Sequence, residues 1–465
     1  SNIGSEHLIG LAGAGASSGM AMAHWEIQGW MILILGWVFV PFYSRSMVYT
    51  MPEFLERRYN PQSRTILSVI SLVSYVLTKV AVTVYAGGLV FQQVFGIKEL
   101  WGIDFFWIAA IGLVVLTALY TIFGGMKSVL YTSVLQTPIL LLGSLIILVL
   151  GFKELGGWDE MMRVCGAVTV NDYGDTMTNL IRSNDDANFP WLGALIGSAI
   201  IGFWYWCTDQ FIVQRVLSGK NEKEARRGTI FGAYLKLLPV FLFLIPGMIA
   251  FALHQKYIGA GGEGFLPMLA NGTANADAAF PTLVAKLLPA GVKGLVVCGI
   301  LAALMSSLAS LFNSSAMLFT IDFYKRFRPE TPEKKLVGIG QIATVVIVIL
   351  GILWIPIMRS VGDVLYTYLQ DVQSVLAPGI AAAFLLGICW KRTSAQGGMW
   401  GLIAGMVIGL TRLGAKVYYS NAGEVADSTF KYLFYDMNWL FFCGWMFLFC
   451  IIVVIVVSLA TEAPT

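Results

Sequence analysis

Charged residues and histidines are scarce in this sequence. Of its 465 residues, 12% are charged and three are histidines, whereas 57% are hydrophobic and the mean hydropathy is +0.75. Soluble domains have about 25% charged residues, so this composition excludes an ordinary soluble domain. The net charge of +3 is small, and no basic arm or acidic tail indicates binding to nucleic acid.

Paired cysteines are also lacking. The six cysteines are scattered, mostly within apolar runs: Cys165, Cys207, Cys298, Cys389, Cys443 and Cys450. A disulfide framework needs paired spacings, and a zinc site needs clustered cysteine or histidine. Since the sequence shows no nucleophile–base pair or metal cluster, it does not favour an enzyme.

Long apolar runs, in contrast, are abundant. Phe105 to Ile122, Val134 to Leu150 and Phe441 to Leu459 are examples, each close to the ~20 residues that a helix needs to cross ~30 Å of hydrocarbon. They have no continuous polar face, which a soluble core helix would have. We therefore predict an all-α, polytopic protein of a plasma membrane or bacterial inner membrane.

The sequence predicts one partial and eleven full membrane spans. The partial span ends near residue 18, and the full spans lie near 22–44, 65–95, 104–123, 127–152, 190–214, 228–254, 290–323, 337–358, 362–390, 397–417 and 438–459. Because the sequence opens at Ser1 inside an apolar segment, we expect an N-terminal helix and the start of the first core helix to precede it.

Basic residues occur in every second loop between these spans. They are Arg45, Arg57, Arg58 and Arg64 after the second span, Lys127 after the fourth, Arg215, Lys220, Lys223, Arg226 and Arg227 after the sixth, Lys325, Arg326, Arg328, Lys334 and Lys335 after the eighth, and Lys391 and Arg392 after the tenth. Positive residues are enriched in cytoplasmic loops. We therefore expect these loops and the C-terminus to be cytoplasmic.

Several spans contain polar or ionisable residues at membrane depth, where such residues are costly and usually functional. They are Glu26, Lys79, Asp209, Lys236, Gln370 and Asp371. For Lys79, Asp209 and Asp371, a structural ion pair explains the residue as well as a functional role does. The other three are surrounded by further polar and aromatic residues, which favours a function.

The surrounding residue types suit a sugar and a sodium ion. Sugar hydroxyls need hydrogen-bond donors and acceptors, and a pyranose face needs a flat apolar side chain. The sequence offers Asn2, His7, Glu26, Lys236 and Gln370 for the hydroxyls, and the aromatic residues 203–206 for the ring face. Ser306 and Ser307, with the carbonyls of Ala303 and Ile3, would give sodium its oxygen ligands. The same small residues are typical of close helix packing, and spacing alone favours packing.

Segments that combine small and polar residues indicate where helices are interrupted. They lie around Asn2 in the first span and at residues 193–202 in the sixth. Transporters built from inverted repeats bind their solute near the midplane, at interrupted helices. Their positions match those expected for the first helix of two successive five-helix repeats.

Several strings of sequence carry a resemblance to a known family. They are residues 1–7 (SNIGSEH), 204–210 (WYWCTDQ), 213–215 (VQR), 234–237 (YLKL) and 302–315 (AALMSSLASLFNSS). These strings resemble the sodium/solute symporter family, and within it the sodium–glucose cotransporters. The resemblance implies one transporter domain, 1–465, with a LeuT-type core of two inverted five-helix repeats and extra C-terminal helices. The first repeat would cover about 1–152, the second about 190–390, and the accessory helices about 397–459.

The resemblance also implies roles for individual residues. The sugar-binding positions would be Asn2, His7, Glu26, Lys236 and Gln370, with Tyr205 as the inner-gate aromatic that stacks on the sugar and Trp206 beside it. Leu11, Trp25 and Tyr366 would form the outer hydrophobic gate. Ile3, Ala303, Ser306 and Ser307 would bind sodium.

Three positions depart from the family pattern. Ser133 stands where many members have an acidic residue, and Ala309 where some have a hydroxyl; both groups belong to a second sodium site in some members. We therefore expect one sodium per sugar. Gly202 replaces a polar residue found in some members, which removes one possible sugar contact.

The expected function is sodium-coupled symport of a glucose- or galactose-like hexose into the cell by alternating access. Myo-inositol or another small solute is the alternative, because a cyclic polyol presents a similar ring of hydroxyls. A transporter-like sugar sensor is less favoured, since only residues 461–465 follow the last span. A channel would need polar stripes along several helices, which the spans lack. No obligate protein partner is evident.

Overall fold

The computed structural model consists almost entirely of helices. It describes residues 4, 6–46, 48, 50–269, 272–361, 365–421 and 426–463, with side chains except at 120, 122–133, 135, 358–361, 366, 367 and 421. Asn2 and Ile3 therefore lie outside the described residues, as do the side chains of Ser133 and Tyr366.

The described residues before position 105 form helices and one short hairpin. The helices are α1 (Ala12–Ser18), α2 (Ala23–Ile27), α3 (Trp30–Ile34), α4 (Val40–Ser46), α5 (Met51–Arg58), α6 (Pro61–Ser74) and α7 (Ala81–Phe95); the antiparallel hairpin pairs β1 (Glu99–Leu100) with β2 (Ile103–Asp104). Thr50 and Asn60 start α5 and α6, because each side chain accepts a hydrogen bond from the backbone N–H three residues later.

The rest of the chain supplies most of the long helices. They are α8 (Phe105–Leu155), α9 (Trp158–Gly166), α10 (Trp191–Phe203), α11 (Gln210–Leu217), α12 (Glu222–Leu235), α13 (Ile245–Gly259), α14 (Ala279–Leu287), α15 (Ala290–Met317), α16 (Lys325–Phe327), α17 (Glu333–Val361), α18 (Leu365–Cys389), α19 (Ala395–Asn421), α20 (Thr429–Lys431) and α21 (Trp439–Ala460). Short 3₁₀-helices lie at Gly19–Met22 and Ala276–Ala278.

Stretches of π-helix continue several of these helices. They are Glu6–Leu11, Leu35–Phe39, Tyr75–Val80, Trp204–Thr208, Val240–Leu244, Leu318–Tyr324 and Tyr432–Asp436. Such stretches are rare in proteins and are frequent at functional sites. Two of them contain residues of the predicted solute site, namely His7 in the first and Tyr205 and Trp206 in the fourth.

Ten helical segments among the described residues are long and apolar enough to span a membrane. They are Glu6–Ser46, Pro61–Phe95, Gln136–Leu155, Trp191–Thr208, Glu222–Gly259, Ala290–Phe327, Glu333–Ile357, Tyr368–Cys389, Ala395–Ser420 and Trp439–Ala460; Phe105–Leu119 is a shorter apolar helix. Together with the shorter helix, these segments overlap every predicted span, and the partial first span and the span 22–44 fall in the one segment Glu6–Ser46. The chain is a multi-pass membrane protein.

The region of α8 differs from the expectation. The sequence predicts two spans, 104–123 and 127–152, with a loop at Lys127, but the backbone is helical without interruption through Phe105–Leu155. Gly124 and Gly125, which lie between the two predicted spans, are inside this helix. A helix tolerates interior glycine at a cost of only about 1 kcal/mol, so the two predicted spans are apolar segments of one helix.

The sixth predicted span is interrupted at Asp209 and not near Gly202, which lies inside α10. Asp209 has an extended backbone (φ −77°, ψ 126°), and its carboxylate caps α11 by accepting from the N–H of Phe211. The Tyr75 hydroxyl donates to the same carboxylate (2.8 Å), and the Lys79 ammonium pairs with it. The prediction was wrong because these partners lie more than 100 residues away in the sequence.

Helices α18, α19 and α21 pack closely, and glycine permits the contact. A Cβ built on Gly405 would lie 2.6 Å from the Cα of Gly379, so the backbones of α18 and α19 touch directly. Small residues are the usual means of bringing membrane helices this close. The predicted accessory helices therefore support α18, which carries Gln370.

Candidate functional site

A small cavity lies where the π-helix Glu6–Leu11, the turn between α2 and α3, the π-helix Trp204–Thr208 and α18 meet. Its volume is about 30 Å³, enough for about two water molecules at 10–15 Å³ each. It is lined by Glu6, His7, Trp25, Gln28, Ile201, Gly202, Tyr205, Trp206, Lys236, Gln370 and Gln373. We call this space the central cavity.

Most of the predicted solute-binding residues meet at the central cavity. His7, Tyr205, Trp206, Lys236 and Gln370 line it, and Glu26 is bonded to one of them. These residues come from five separate stretches of the chain. Asn2, the remaining predicted residue, lies outside the described residues.

Three of these residues form a buried triad, joined by an ion pair between Lys236 and Glu26 and a hydrogen bond between Lys236 and His7. The ammonium of Lys236, at the end of α12, lies 2.7 Å from Glu26 Oε2 and 2.8 Å from His7 Nε2. His7 Nε2 is 3.6 Å from the same carboxylate oxygen. Glu26 is fully buried and Lys236 is 9% exposed. A buried charge is tolerated only when it is paired, so the pairing with Lys236 explains how Glu26 is accommodated here.

The triad leaves hydrogen-bonding capacity unused. His7 Nδ1 and both carboxylate oxygens of Glu26 are buried and have no hydrogen-bond partner among the described residues. An unpaired buried polar group costs about 1–3 kcal/mol. These atoms are therefore available to a polar group that enters the central cavity.

Two aromatic rings form another wall of the central cavity. Tyr205 and Trp206 are 5.0 Å apart between ring centroids and almost perpendicular (86°). The Lys236 ammonium lies 5.5 Å from the Trp206 ring centroid. A flat aromatic face beside charged donors is the combination that suits a polyhydroxylated ring.

The other ionisable residues noted in the sequence form ion pairs of their own. Lys79 pairs with Asp209 at the start of α11. Asp371 pairs with Lys416, and it lies 4.0 Å from Arg412 of the same helix, α19. None of these residues lines the central cavity, so their geometry favours the structural interpretation.

The predicted outer-gate residues are only partly described. Leu11 is fully buried, and Trp25 is 8% exposed and lines the central cavity. The indole of Trp25 packs against Trp439 of α21, with 5.4 Å between ring centroids. The side chain of Tyr366 is outside the described ones, so the gate it would complete stays a prediction.

One predicted sodium ligand, Ser307, lies next to the start of the first helix. A Cβ built on Gly4 would be only 2.5 Å from Ser307 Oγ, so the Ser307 hydroxyl touches the backbone there. Ser306 and Ala303 are buried on the same helix, α15. Ile3, the remaining predicted ligand, is outside the described residues. The sodium role of this group stays a prediction.

Sequence reasoning missed three polar residues of the central cavity. Gln28 and Gln373 are 5% and 3% exposed, and Glu6 also faces this space. Gln28 follows Glu26 by two positions, which in a regular helix would place it on another face. Gln373 follows Gln370 by three positions in α18, a spacing that puts both on one face and could have identified it.

Comparison with known proteins assigns the chain to a family. The model of the sodium:solute symporter family matches residues 1–405. The human sodium/myo-inositol cotransporter 2 is 36% identical over 478 residues, which cover 100% of this chain and 70% of that protein. Sodium/glucose cotransporter 1 of sheep (Ovis aries) is 38% identical over 480 residues, covering 99% of this chain and 71% of that protein.

A solved structure shows the same fold. It is the substrate-bound, outward-open state of a Na⁺-coupled sialic acid symporter, with a TM-score of 0.72 and 20% identity over 100% of this chain and 88% of that one. At this identity the likeness concerns the fold alone, and it confirms the LeuT-like architecture. Together with the family match, it identifies the chain as a member of the sodium:solute symporter family, a sodium-coupled membrane transporter and not an enzyme.

Proposed function

We propose that this transporter moves a glucose- or galactose-like hexose into the cell with one sodium ion, by alternating access. The observation that carries the proposal is the buried triad of His7, Glu26 and Lys236 beside the Tyr205–Trp206 wall. It supplies unused donors and acceptors for hydroxyls and a flat surface for a ring. Asn2 would add a further polar contact.

The small volume of the central cavity supports a transport cycle in which the surrounding helices move. Space for about two waters is too little for a hexose, so binding requires the helices around it to separate. Leu11, Trp25 and Tyr366 would open on one side of the solute, and Tyr205 on the other. A cavity of about 380 Å³ shares Trp206 and Lys236 with the central one and extends along α11 and α12, which supports release on that side.

Sodium would control the first of these openings. Its ligands would be the hydroxyls of Ser306 and Ser307 and the carbonyls of Ala303 and Ile3. Bound there, it would hold the start of the first helix against α15, because Ser307 already contacts Gly4. His7 lies three residues after Gly4, so the same ion would set the position of a solute-binding side chain.

The driving force is sufficient for uptake against a gradient. One sodium ion crossing 100 mV supplies about 2.3 kcal/mol, and a tenfold sodium gradient adds about 1.4 kcal/mol. Together they would support a solute ratio of several hundred. The basic residues between the spans, apart from Lys127 inside α8, and the C-terminus would lie in the cytoplasm; a C-terminal tag accessible only from the cytoplasmic side would support this orientation.

Myo-inositol is the alternative solute, and one specific observation supports it. Relatives that transport it and relatives that transport glucose match this chain at similar identity over similar lengths. An inositol ring would present its hydroxyls to the same triad. The hexose proposal is favoured by the aromatic wall, which suits a pyranose face.

The test is uptake of radiolabelled glucose, galactose and myo-inositol into proteoliposomes with and without an inward sodium gradient. We expect sodium-dependent hexose uptake. Lys236→Ala should lower kcat/KM by at least roughly 30-fold, because leaving Glu26 buried and unpaired costs about 2–5 kcal/mol. Ser307→Ala should raise the sodium concentration for half-maximal uptake about tenfold, which corresponds to about 1.4 kcal/mol.

Lys223→Ala is the matched control, since Lys223 is exposed on the same helix as Lys236 and should leave uptake unchanged. Sodium-dependent uptake of inositol without hexose would keep the mechanism and replace the solute. Uptake of every solute at the same rate without sodium would contradict the coupling.

A further inference from the structure

Gln28 lies in a short turn of the second span, two residues after Glu26. Helix α2 ends at Ile27 and α3 begins at Trp30, and the intervening residues Gln28 and Gly29 form the turn. Gln28 lines the central cavity, and Glu26 reaches the Lys236 ammonium on the cavity wall.

The side chain of Gln28 occupies space that Gly202 leaves free. A Cβ built on Gly202 would lie 2.9 Å from Gln28 Oε1 and 3.2 Å from Met31 Cγ. Both distances are too short for the present packing, so any larger residue at position 202 would displace the Gln28 carboxamide. The absence of a side chain at Gly29 likewise leaves room for Lys236, because a Cβ built on Gly29 would lie 3.2 Å from the Lys236 Cβ.

The Gln28 carboxamide has unused hydrogen-bonding capacity. Gln28 is only 5% exposed, and its Nε2 has no hydrogen-bond partner among the described residues. Across the cavity, Gln370 Oε1 is likewise buried without a described partner. One amide thus offers a donor and the other an acceptor. Hydroxyls of a polyol can accept a hydrogen bond from Gln28 Nε2 and donate one to Gln370 Oε1.

From this arrangement we infer that Gln28 binds the solute and helps to select its hydroxyl pattern, from the space that Gly202 leaves free. This inference rests on the proposed transport of a hexose or cyclitol. It adds a determinant of the choice between such solutes.

The first experiment measures sodium-dependent uptake by Gln28→Leu in proteoliposomes, with the transported solute and its single-deoxy analogues. Loss of one neutral hydrogen bond, worth about 0.5–1.5 kcal/mol, should raise KM about two- to tenfold with little change in kcat. The wild type should bind one deoxy analogue worse than the parent solute. In Gln28→Leu this difference should disappear for that analogue only.

Gln92→Leu is the control for a glutamine outside the cavity, because Gln92 bonds Asp104 near the β1–β2 hairpin and should leave every KM unchanged. A general loss of packing in Gln28→Leu would raise KM for all analogues alike. The pattern across analogues therefore separates solute contact from a structural role.

A swap of the two side chains gives an independent test. Gly202→Asn alone should raise KM, because it displaces Gln28. Combining it with Gln28→Ala should restore KM to within about threefold of the wild type, since position 202 then supplies the amide. If Gln28→Leu does not fold, Gly202→Ala serves in its place, as it displaces Gln28 without removing it.

The outcomes distinguish this inference from the proposal on which it rests. A wild type that takes up neither hexose nor cyclitol with sodium would overturn the proposed function. A wild type that does so, while Gln28→Leu shows unchanged KM for all analogues and the double variant shows no recovery, would overturn the role of Gln28 alone.

Discussion

Buried carboxylates in this protein are distinguished by their partners. Glu26 is paired with Lys236 at the central cavity, whereas Asp209 is paired with Lys79 at a helix break. Asp277 has a third environment: it is 3% exposed, and within the described part of the chain its two oxygens accept from the backbone N–H of Leu365, at 3.2 and 3.1 Å. The residue type alone does not separate a binding site from a structural pair.

Asp277 gives the protein a pH-dependent stability. It lies on the 3₁₀-helix Ala276–Ala278, outside the spanning segments. Burial raises its pKa from 3.8 to about 7, although the bond from Leu365 opposes the rise. The folded protein therefore holds this proton more tightly than the unfolded chain does. Its contribution is most favourable below about pH 4 and is lost as the pH rises through about 7.

The prediction is that Asp277→Asn flattens this pH dependence. Asparagine keeps an acceptor for Leu365 and does not ionise, so the variant should be the more stable protein at pH 8.5, by roughly 4 kcal/mol at most. The thermal unfolding midpoint of purified protein between pH 5.5 and 8.5 measures this. Asp185→Asn, at an exposed carboxylate, is the control. Equal slopes for the wild type and Asp277→Asn would refute the assignment.

At the scale of elements, the segment between α9 and α10 holds the turn that joins α1 to α2. Arg182 donates to the carbonyl of Ser18, and the N–H of Met20 donates to the carbonyl of Met177 at 2.8 Å. Between them Gly19 has φ +70° and ψ −144°, a backbone region that is almost restricted to glycine. A Cβ at this position would also overlap the Met177 backbone.

Gly19→Ala should therefore destabilise the protein more than an ordinary glycine substitution at positive φ. Gly102 is the matched control: its φ is +74°, and a Cβ there would meet nothing within 4 Å. We expect Gly102→Ala to cost about 1–2 kcal/mol from backbone strain and Gly19→Ala to cost clearly more. Thermal unfolding midpoints of the two variants measure the difference. Similar midpoints would show that the overlap between a Cβ at position 19 and the Met177 backbone does not lower the free energy of unfolding.

The sequence predicted where helices lie better than where they break. Apolar runs such as 438–459 correspond closely to helices such as Trp439–Ala460, because length and hydropathy are local properties. The break at Asp209 was misplaced because its partners, Tyr75 and Lys79, belong to a distant part of the chain. Tertiary contacts set such breaks, and no local pattern records them.

The same limit applies to the site. The resemblance and the cost of membrane-embedded charge pointed to Glu26 and Lys236, and the structure brings them together with His7. Gln28 escaped notice because helical periodicity places it away from Glu26, and the turn at Gly29 was not visible in the sequence. Sequence patterns predict helix irregularities poorly. The central cavity is formed at such irregularities, so part of its lining could not be predicted.

For the whole molecule, the first helix links the two proposed sites. Gly4 contacts Ser307 of α15, and His7, in the adjoining π-helix, bonds Lys236 at the central cavity. A shift of this short segment would move both sites together. Coupling of this kind is reciprocal: sodium must raise the solute affinity by the factor by which the solute raises the sodium affinity.

The number of coupled ions follows from an equilibrium measurement. With no membrane potential, a tenfold sodium gradient supports a solute ratio of about ten if one ion is coupled, and about one hundred if two are, since each tenfold step corresponds to about 1.4 kcal/mol. The family resemblance implies that a second ion would need a hydroxyl at position 309 and a carboxylate at position 133, and this sequence has Ala309 and Ser133 there. We therefore expect a ratio near ten in proteoliposomes clamped at zero potential. Ser307→Ala should approach the same ratio more slowly, because a weakened site changes the rate and not the stoichiometry. A ratio near one hundred would require a second sodium site built from other residues.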